Sequence, residues 1–419
     1  MNLQQASFAR LVVLALGLAL GAAVSLGVTR FAYGLLLPPM RADLQWSYTL
    51  AGAMNTANAL GYLLGALVTP WLLHRAGPLR VLVGGAALAS AFMGLTGFFT
   101  EAAPLLAQRV LAGVASAWLF IAGGLLAARL GALMPARSGF LLGIYYGGTG
   151  LGIALSALMV PALLEAASQR PQGWAWAWWA LALACLAATV VLARVGRLLA
   201  SLQAPAAQGD GAGARFDWRD FAPGLAGYTM FGVGYIGYMT FVIALLREQG
   251  VSPARITLFY ALLGAAVMAS SRIWAGLLDR YKGGQPLALL NALLGVAAVM
   301  PAVFSAWPLV LASGLLFGGV FLSVVASTTA LVRHNLPPSQ WAAGISAFTI
   351  VFAFGQIVGP TVVGWIADGP GGLARGMVFS AIALGVGAGL AWRQRPLISS
   401  AGPQRVEQPV PPAAPASGP

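Results

Sequence analysis

The chain has 419 residues, of which 59% are hydrophobic and only 8% charged, against roughly 25% charged in an average soluble domain. So few charges cannot cover a soluble protein of this length, and disorder is excluded because it needs low hydrophobicity and high charge. The 54 glycines show no three-residue period, which excludes collagen, and the net charge of +13 reads as the basic inner loops of a polytopic membrane protein rather than as a nucleic-acid surface.

A membrane-spanning helix needs about 20 apolar residues, and the sequence predicts twelve of them. Spans 1 to 6 fall at about 11–37, 48–73, 79–99, 103–130, 139–164 and 174–196. The apolar start of span 1, Leu11 to Val28, is longer than a signal-peptide core and is read as a retained helix. Spans 7 to 12 fall at about 222–246, 255–278, 286–306, 308–332, 341–366 and 373–392. This gives an N-terminal six-helix bundle over 1–200, a polar cytoplasmic linker over 201–221, a C-terminal six-helix bundle over 222–395, and a Pro/Ser/Ala-rich tail over 396–419, expected to be disordered. The single cysteine, Cys185, lies in an apolar run, so no internal disulfide can form.

With the N-terminus inside, 15 Lys and Arg fall on the inner side and 5 on the outer side, and Arg30, Arg109 and Arg272 fall within spans. The positive-inside rule then puts both termini in the cytoplasm. Arginine outnumbers lysine 22 to 1, and with abundant Ala and Gly this points to a GC-rich bacterial genome and an inner (plasma) membrane.

The two halves repeat. At an offset of 205 residues Gly27 meets Gly232, Tyr33 meets Tyr238, Arg75 meets Arg280, Gly113 meets Gly318 and Gly150 meets Gly355. A parallel six-plus-six duplication of this kind builds transporters whose substrate site lies near mid-membrane between the halves.

After span 2 comes His74-Arg75-Ala76-Gly77-Pro78-Leu79-Arg80, and after span 8 comes Gly276-Leu277-Leu278-Asp279-Arg280-Tyr281-Lys282-Gly283-Gly284. These resemble the loop signature of the major facilitator superfamily, Gly-x-x-x-Asp-Arg-x-Gly-Arg-Arg, with His74 standing where an aspartate is expected. Arg109-x-x-x-Gly113 is similar to the family's fourth-helix motif, and Gly355-x-x-x-Gly359-Pro360-x-x-x-Gly364 to a motif that antiporters carry in span 5. The segment Arg30 to Met40, with Tyr48 to Gly52 and Gly61 to Gly65, resembles the YbfB/YjiJ-type branch. The resemblance covers about residues 8–395. It implies an all-α fold of twelve transmembrane helices in two pseudo-symmetric bundles, with spans 2, 5, 8 and 11 at their interface. It implies gating or structural roles for Arg75, Arg109, Asp279, Arg280, Gly355, Gly359 and Pro360, and it leaves the cargo open.

All ten acidic residues fall in loops, tails or span ends. The three in-span arginines therefore lack an evident carboxylate at their own depth, and arginine does not deprotonate to escape burial. Arg30 shares a face with Tyr33, and Asn55 and Asn58 lie at similar depth on span 2. Tyr235 takes the place of Arg30 in the second half, and Tyr228, Tyr235 and Tyr238 form a stripe within about 80° on span 7. Such groups suit a carboxylate in a partly wet cavity. Arg272-x-x-x-Gly276 resembles the carboxylate-binding arginine of monocarboxylate and oxalate carriers, while an inner gate paired with Asp279 is the competing reading. The same interface would hold Tyr145 and Tyr146, with Thr149 beside them, on span 5, and Thr349 and Gln356 on span 11.

The expected function is secondary transport of a small organic anion by a monomer in the lipid bilayer, with no enzyme activity, cofactor or metal. No Walker loop or Cys/His metal spacing is present in the sequence. The alternatives are an efflux antiporter for hydrophobic or cationic compounds and a transporter-like sensor or scaffold.

Overall fold

The computed structural model describes residues 7–200 and 216–397. Fourteen α-helices run α1 Phe8–Ala22, α2 Tyr33–Leu44, α3 Tyr48–Ala76, α4 Pro78–Thr96, α5 Ala102–Ala132, α6 Ser138–Ala166, α7 Gly173–Ala200, α8 Ala222–Glu248, α9 Pro253–Ile273, α10 Ala275–Arg280, α11 Gln285–Val303, α12 Trp307–Asn335, α13 Trp341–Ala367 and α14 Gly372–Trp392. Counted as continuous apolar stretches they give twelve membrane-spanning helices, with α1 and α2 sharing the first and α9 and α10 the eighth. No strand occurs among the described residues. Most of the expected linker, and the tail from residue 398, lie outside the described residues. Leu397 is ordered against α12, where its N–H donates to Asn335.

Local chemistry sets several boundaries. The Ser47 hydroxyl accepts from the Leu50 N–H at 3.1 Å and caps α3. Proline occupies the first turn of α4, α9 and α12, where no intrahelical N–H is needed. Gly77 separates α3 from α4 at φ +78°, a conformation in which a side chain would strain the turn.

Small residues let the helices touch backbone to backbone. A Cβ on Gly113 would collide with the carbonyl oxygen of Asn58, and a Cβ on Gly318 would collide with that of Leu263. These two contacts, α5 on α3 and α12 on α9, are 205 residues apart in both partners, so the duplication is written into the packing.

Two spans expected to be continuous are broken. Between α1 and α2 the chain makes a π-helical turn, Ala23–Val28, and then a turn over Thr29–Ala32. Neighbours take up the carbonyls there: Arg109 donates to Thr29 at 2.8 Å and Tyr260 donates to Phe31 at 2.8 Å. The eighth span bends at Trp274, whose indole N–H donates to the Gly319 carbonyl on α12 at 2.8 Å.

The end of the molecule where Phe8 and Trp392 lie is called the near end, and the opposite one the far end. At the far end the bundles are joined. Gly52 of α3 abuts the Pro360 carbonyl, Gly364 abuts that of Tyr48, and Thr56 donates to the Ile357 carbonyl at 2.6 Å. Asp368 accepts from the Tyr48 and Thr49 N–H groups and from the Thr49 hydroxyl, and Tyr48 donates its phenol proton to Glu248. Toward the near end the same stripe of α3 continues as Leu60, Leu64 and Leu67, and that of α13 as Phe354 and Ile350, all exposed. The bundles part there. Along the α6–α9 seam, by contrast, Gly150 and Gly264 meet, and Arg272 stacks on Phe140 nearer the near end.

Candidate substrate site

The break in the first span places Arg30 between the bundles. It is 3% exposed, and its Nε and Nη2 atoms have no hydrogen-bond partner. Its guanidinium lies 6.0 Å from the centroid of Tyr62 on α3. Its charge also acts on Tyr235 of α8, so Arg30 stands between the two bundles. A buried cation without a partner is costly, and arginine cannot shed its proton.

Arg109 is equally buried but satisfied. Its Nη1 donates to the Thr29 carbonyl at 2.8 Å, its Nη2 to Asn55 Oδ1 at 2.8 Å, and its Nε to the Met54 carbonyl at 3.3 Å. The ring of Tyr33 lies 4.9 Å from its guanidinium. Arg109 thus fastens α5 to α3 and to the break. It also lies close enough to Arg30 for the two charges to interact, so the region is doubly cationic.

Several expected ligands spend their polar atoms on the protein. The Tyr33 hydroxyl donates to the Ala51 carbonyl, that of Tyr145 to Phe120, and the Asn58 amide to Arg109. Tyr238 shares a hydrogen bond with Ser313 at 2.7 Å. Asn55 accepts from Arg109 and donates to Thr240 of α8 at 2.8 Å. Tyr228 stacks on Phe231 and Phe352. Tyr235 donates to Gln356 Oε1 at 2.8 Å, and both are buried beside the site. Tyr146 is 41% exposed.

Arg272 lies apart from Arg30, toward the near end. Expected in the inner half of span 8 as a carboxylate ligand or an inner gate, it is exposed and has its guanidinium 4.6 Å from the ring of Phe140 in the other bundle. Arg75 lies over Trp71 and Arg280 over Tyr281, each beside its own helix, and Asp279 is exposed. Gly355 and Gly359 press α13 onto α8, against the carbonyls of Thr229 and Val233, and the Pro360 carbonyl meets Gly52 across the bundles.

Tyr62 was not among the expected residues. It follows Asn55 and Asn58 at spacings of three and four, so all three share one face of α3. Phe120 also escaped notice; it links Tyr62, at 6.5 Å between ring centres, to Tyr146 at 5.7 Å.

Known proteins share this architecture. A bacterial homologue of the human lysosomal transporter Spinster, solved inward-facing and unoccupied, is 14% identical, with a TM-score of 0.70 over 92% of this chain and 97% of that one. The nucleoside transporter NupG is also 14% identical, with a TM-score of 0.67 over 94% of this chain and 98% of that one. At such identity the likeness is one of fold. No curated protein matches the sequence. The model of one family does, over residues 22–392, and the chain therefore belongs to the family described as the uncharacterised MFS-type transporter YbfB.

Proposed function

We propose that this chain is a secondary transporter of a small organic anion, bound by Arg30 between the bundles and exposed alternately as they rock. The observation that carries this reading is the buried guanidinium whose Nε and Nη2 atoms lack partners. A carboxylate meets that need with charge-assisted, bidentate geometry. Arg109 supports the positive potential while each of its three nitrogens is already bonded within the protein. Arg272 is then a near-end contact between bundles rather than a second ligand.

The positive-inside count puts the near end in the cytoplasm, so the parted α3–α13 face is the inward opening of a multi-pass inner-membrane protein. Efflux of hydrophobic or cationic compounds fits less well. Its sequence motif, Gly355-x-x-x-Gly359-Pro360, is occupied with packing, and two guanidinium groups repel a cation.

The test is uptake of labelled carboxylates into proteoliposomes. Wild-type protein concentrates or exchanges at least one of them, and Arg30→Gln abolishes this. Transport of a carboxylate undiminished in Arg30→Gln overturns the reading.

A further inference from the structure

Beside Arg30 the accessible wall is made of rings. Tyr62 lies 6.0 Å from the guanidinium, and Phe120 and then Tyr146 follow it, with successive ring centres 6.5 and 5.7 Å apart. Tyr146 is exposed, and Tyr62 and Phe120 are only half-buried. Across the site, Phe352 ends a ladder in which it stacks on Phe231 at 5.3 Å and 8° and on Tyr235 at 5.5 Å and 22°. The interior of that ladder is sealed, but Phe352 itself is half-buried.

These rings are not an interfacial belt, because they surround a buried charge rather than a headgroup layer. Nor does a need for apolar surface explain them, since leucine and alanine supply that elsewhere in the chain. Ring faces and edges instead favour another ring, at offset or edge-to-face distances of about 4.5–7 Å. Resting on the anion reading above, we infer that the Arg30 site selects anions whose carboxylate is attached to an aromatic ring. The carboxylate sits on Arg30, and the ring lies against Tyr62, Phe120 and Tyr146.

Binding of benzoate and of cyclohexanecarboxylate to the full chain in lipid nanodiscs tests this, because the two match in charge and nearly in size. Benzoate is expected to bind about five- to tenfold more tightly. Tyr62→Leu and, separately, Tyr146→Leu at the exposed position should shrink that ratio to below about twofold, while Tyr62→Phe preserves it. Equal binding of the two acids to wild-type protein overturns the ring preference and leaves the anion reading standing. Failure of both acids to bind overturns the ring preference, and binding of both undiminished in Arg30→Gln overturns it together with the anion reading. A ratio unchanged in both leucine variants also overturns the proposed ring contact.

Discussion

Asn55 donates to Thr240 at 2.8 Å, and this bond runs from one bundle to the other. The same side chain accepts from Arg109, so one amide ties the arginine clasp of the first bundle to the inner face of the second. Asn55→Ala leaves Arg109 and Thr240 each short of a partner and is expected to lower stability by about 1–3 kcal/mol. Thr240→Val removes only the cross-bundle half and should cost roughly 1 kcal/mol or less. Thermal unfolding in detergent, run on both variants, checks the ranking.

Arg30 and Arg109 are expected to respond in opposite ways. Arg109→Ala strands three acceptors and should cost about 2–3 kcal/mol. Lysine should not rescue it, since one ammonium cannot reproduce the planar fork. Arg30→Gln removes an unpartnered buried charge and should stabilise the protein by about 0.5–2 kcal/mol while abolishing anion binding. Paired melting and binding measurements decide; a stabilising Arg109→Ala would refute the assignment.

The repeated glycine contacts should fail in parallel. Gly113→Ala and Gly318→Ala each drive a methyl group into a helix carbonyl, and each is expected to cost about 1–3 kcal/mol. Gly84→Ala, in α4 with nothing near the added methyl group, should be neutral or stabilising by up to about 1 kcal/mol. Melting temperatures of the three variants compare them directly.

The far end should open in acid. Burial would raise the Asp368 carboxyl, but bonds from the Thr49 hydroxyl and N–H and from the Tyr48 N–H, with the charge of Arg41, outweigh it and hold the group below its ordinary value of 3.8. A lowered carboxyl adds closure energy in full above its ordinary value and loses it as pH falls through the lowered one. The solvent accessibility of a spin label already attached through a cysteine introduced at Leu50 should therefore rise below about pH 4 and lose that dependence in Asp368→Asn. The natural Cys185 is buried and contributes little background.

The architecture was legible in the sequence because it rests on length and repetition. Apolar runs long enough to cross a bilayer, and an offset held through Gly113 and Gly318, survive any detail of side-chain placement. Arg30 was legible too, as a charge without an acid nearby. The break around it was not, since Thr29 to Ala32 carries no proline; the carbonyls are drawn off by Arg109 and Tyr260, 80 and 229 residues away. The same distance effect hid the fate of Asn55, whose partner Thr240 lies 185 residues on. The inner-half depth of Arg272 could be counted along its helix, but its seat on Phe140 of the other bundle could not.

The interrupted first span has a mechanical consequence. Before the break, Ser25 is bonded to Ser116 and Gly27 is pressed on Gly152, both within its own bundle. After it, Phe31 is held by Tyr260 and Gly34 by the Met239 carbonyl, both in the other bundle. Because Tyr33 and Asp43 are bonded back to Ala51 and Trp174 of the first bundle, the chain just after Thr29–Ala32 is gripped by both bundles and is loaded when one swings against the other. Arg30 lies in that stretch, so the residue proposed to hold the anion sits on the piece of chain that feels both bundles at once.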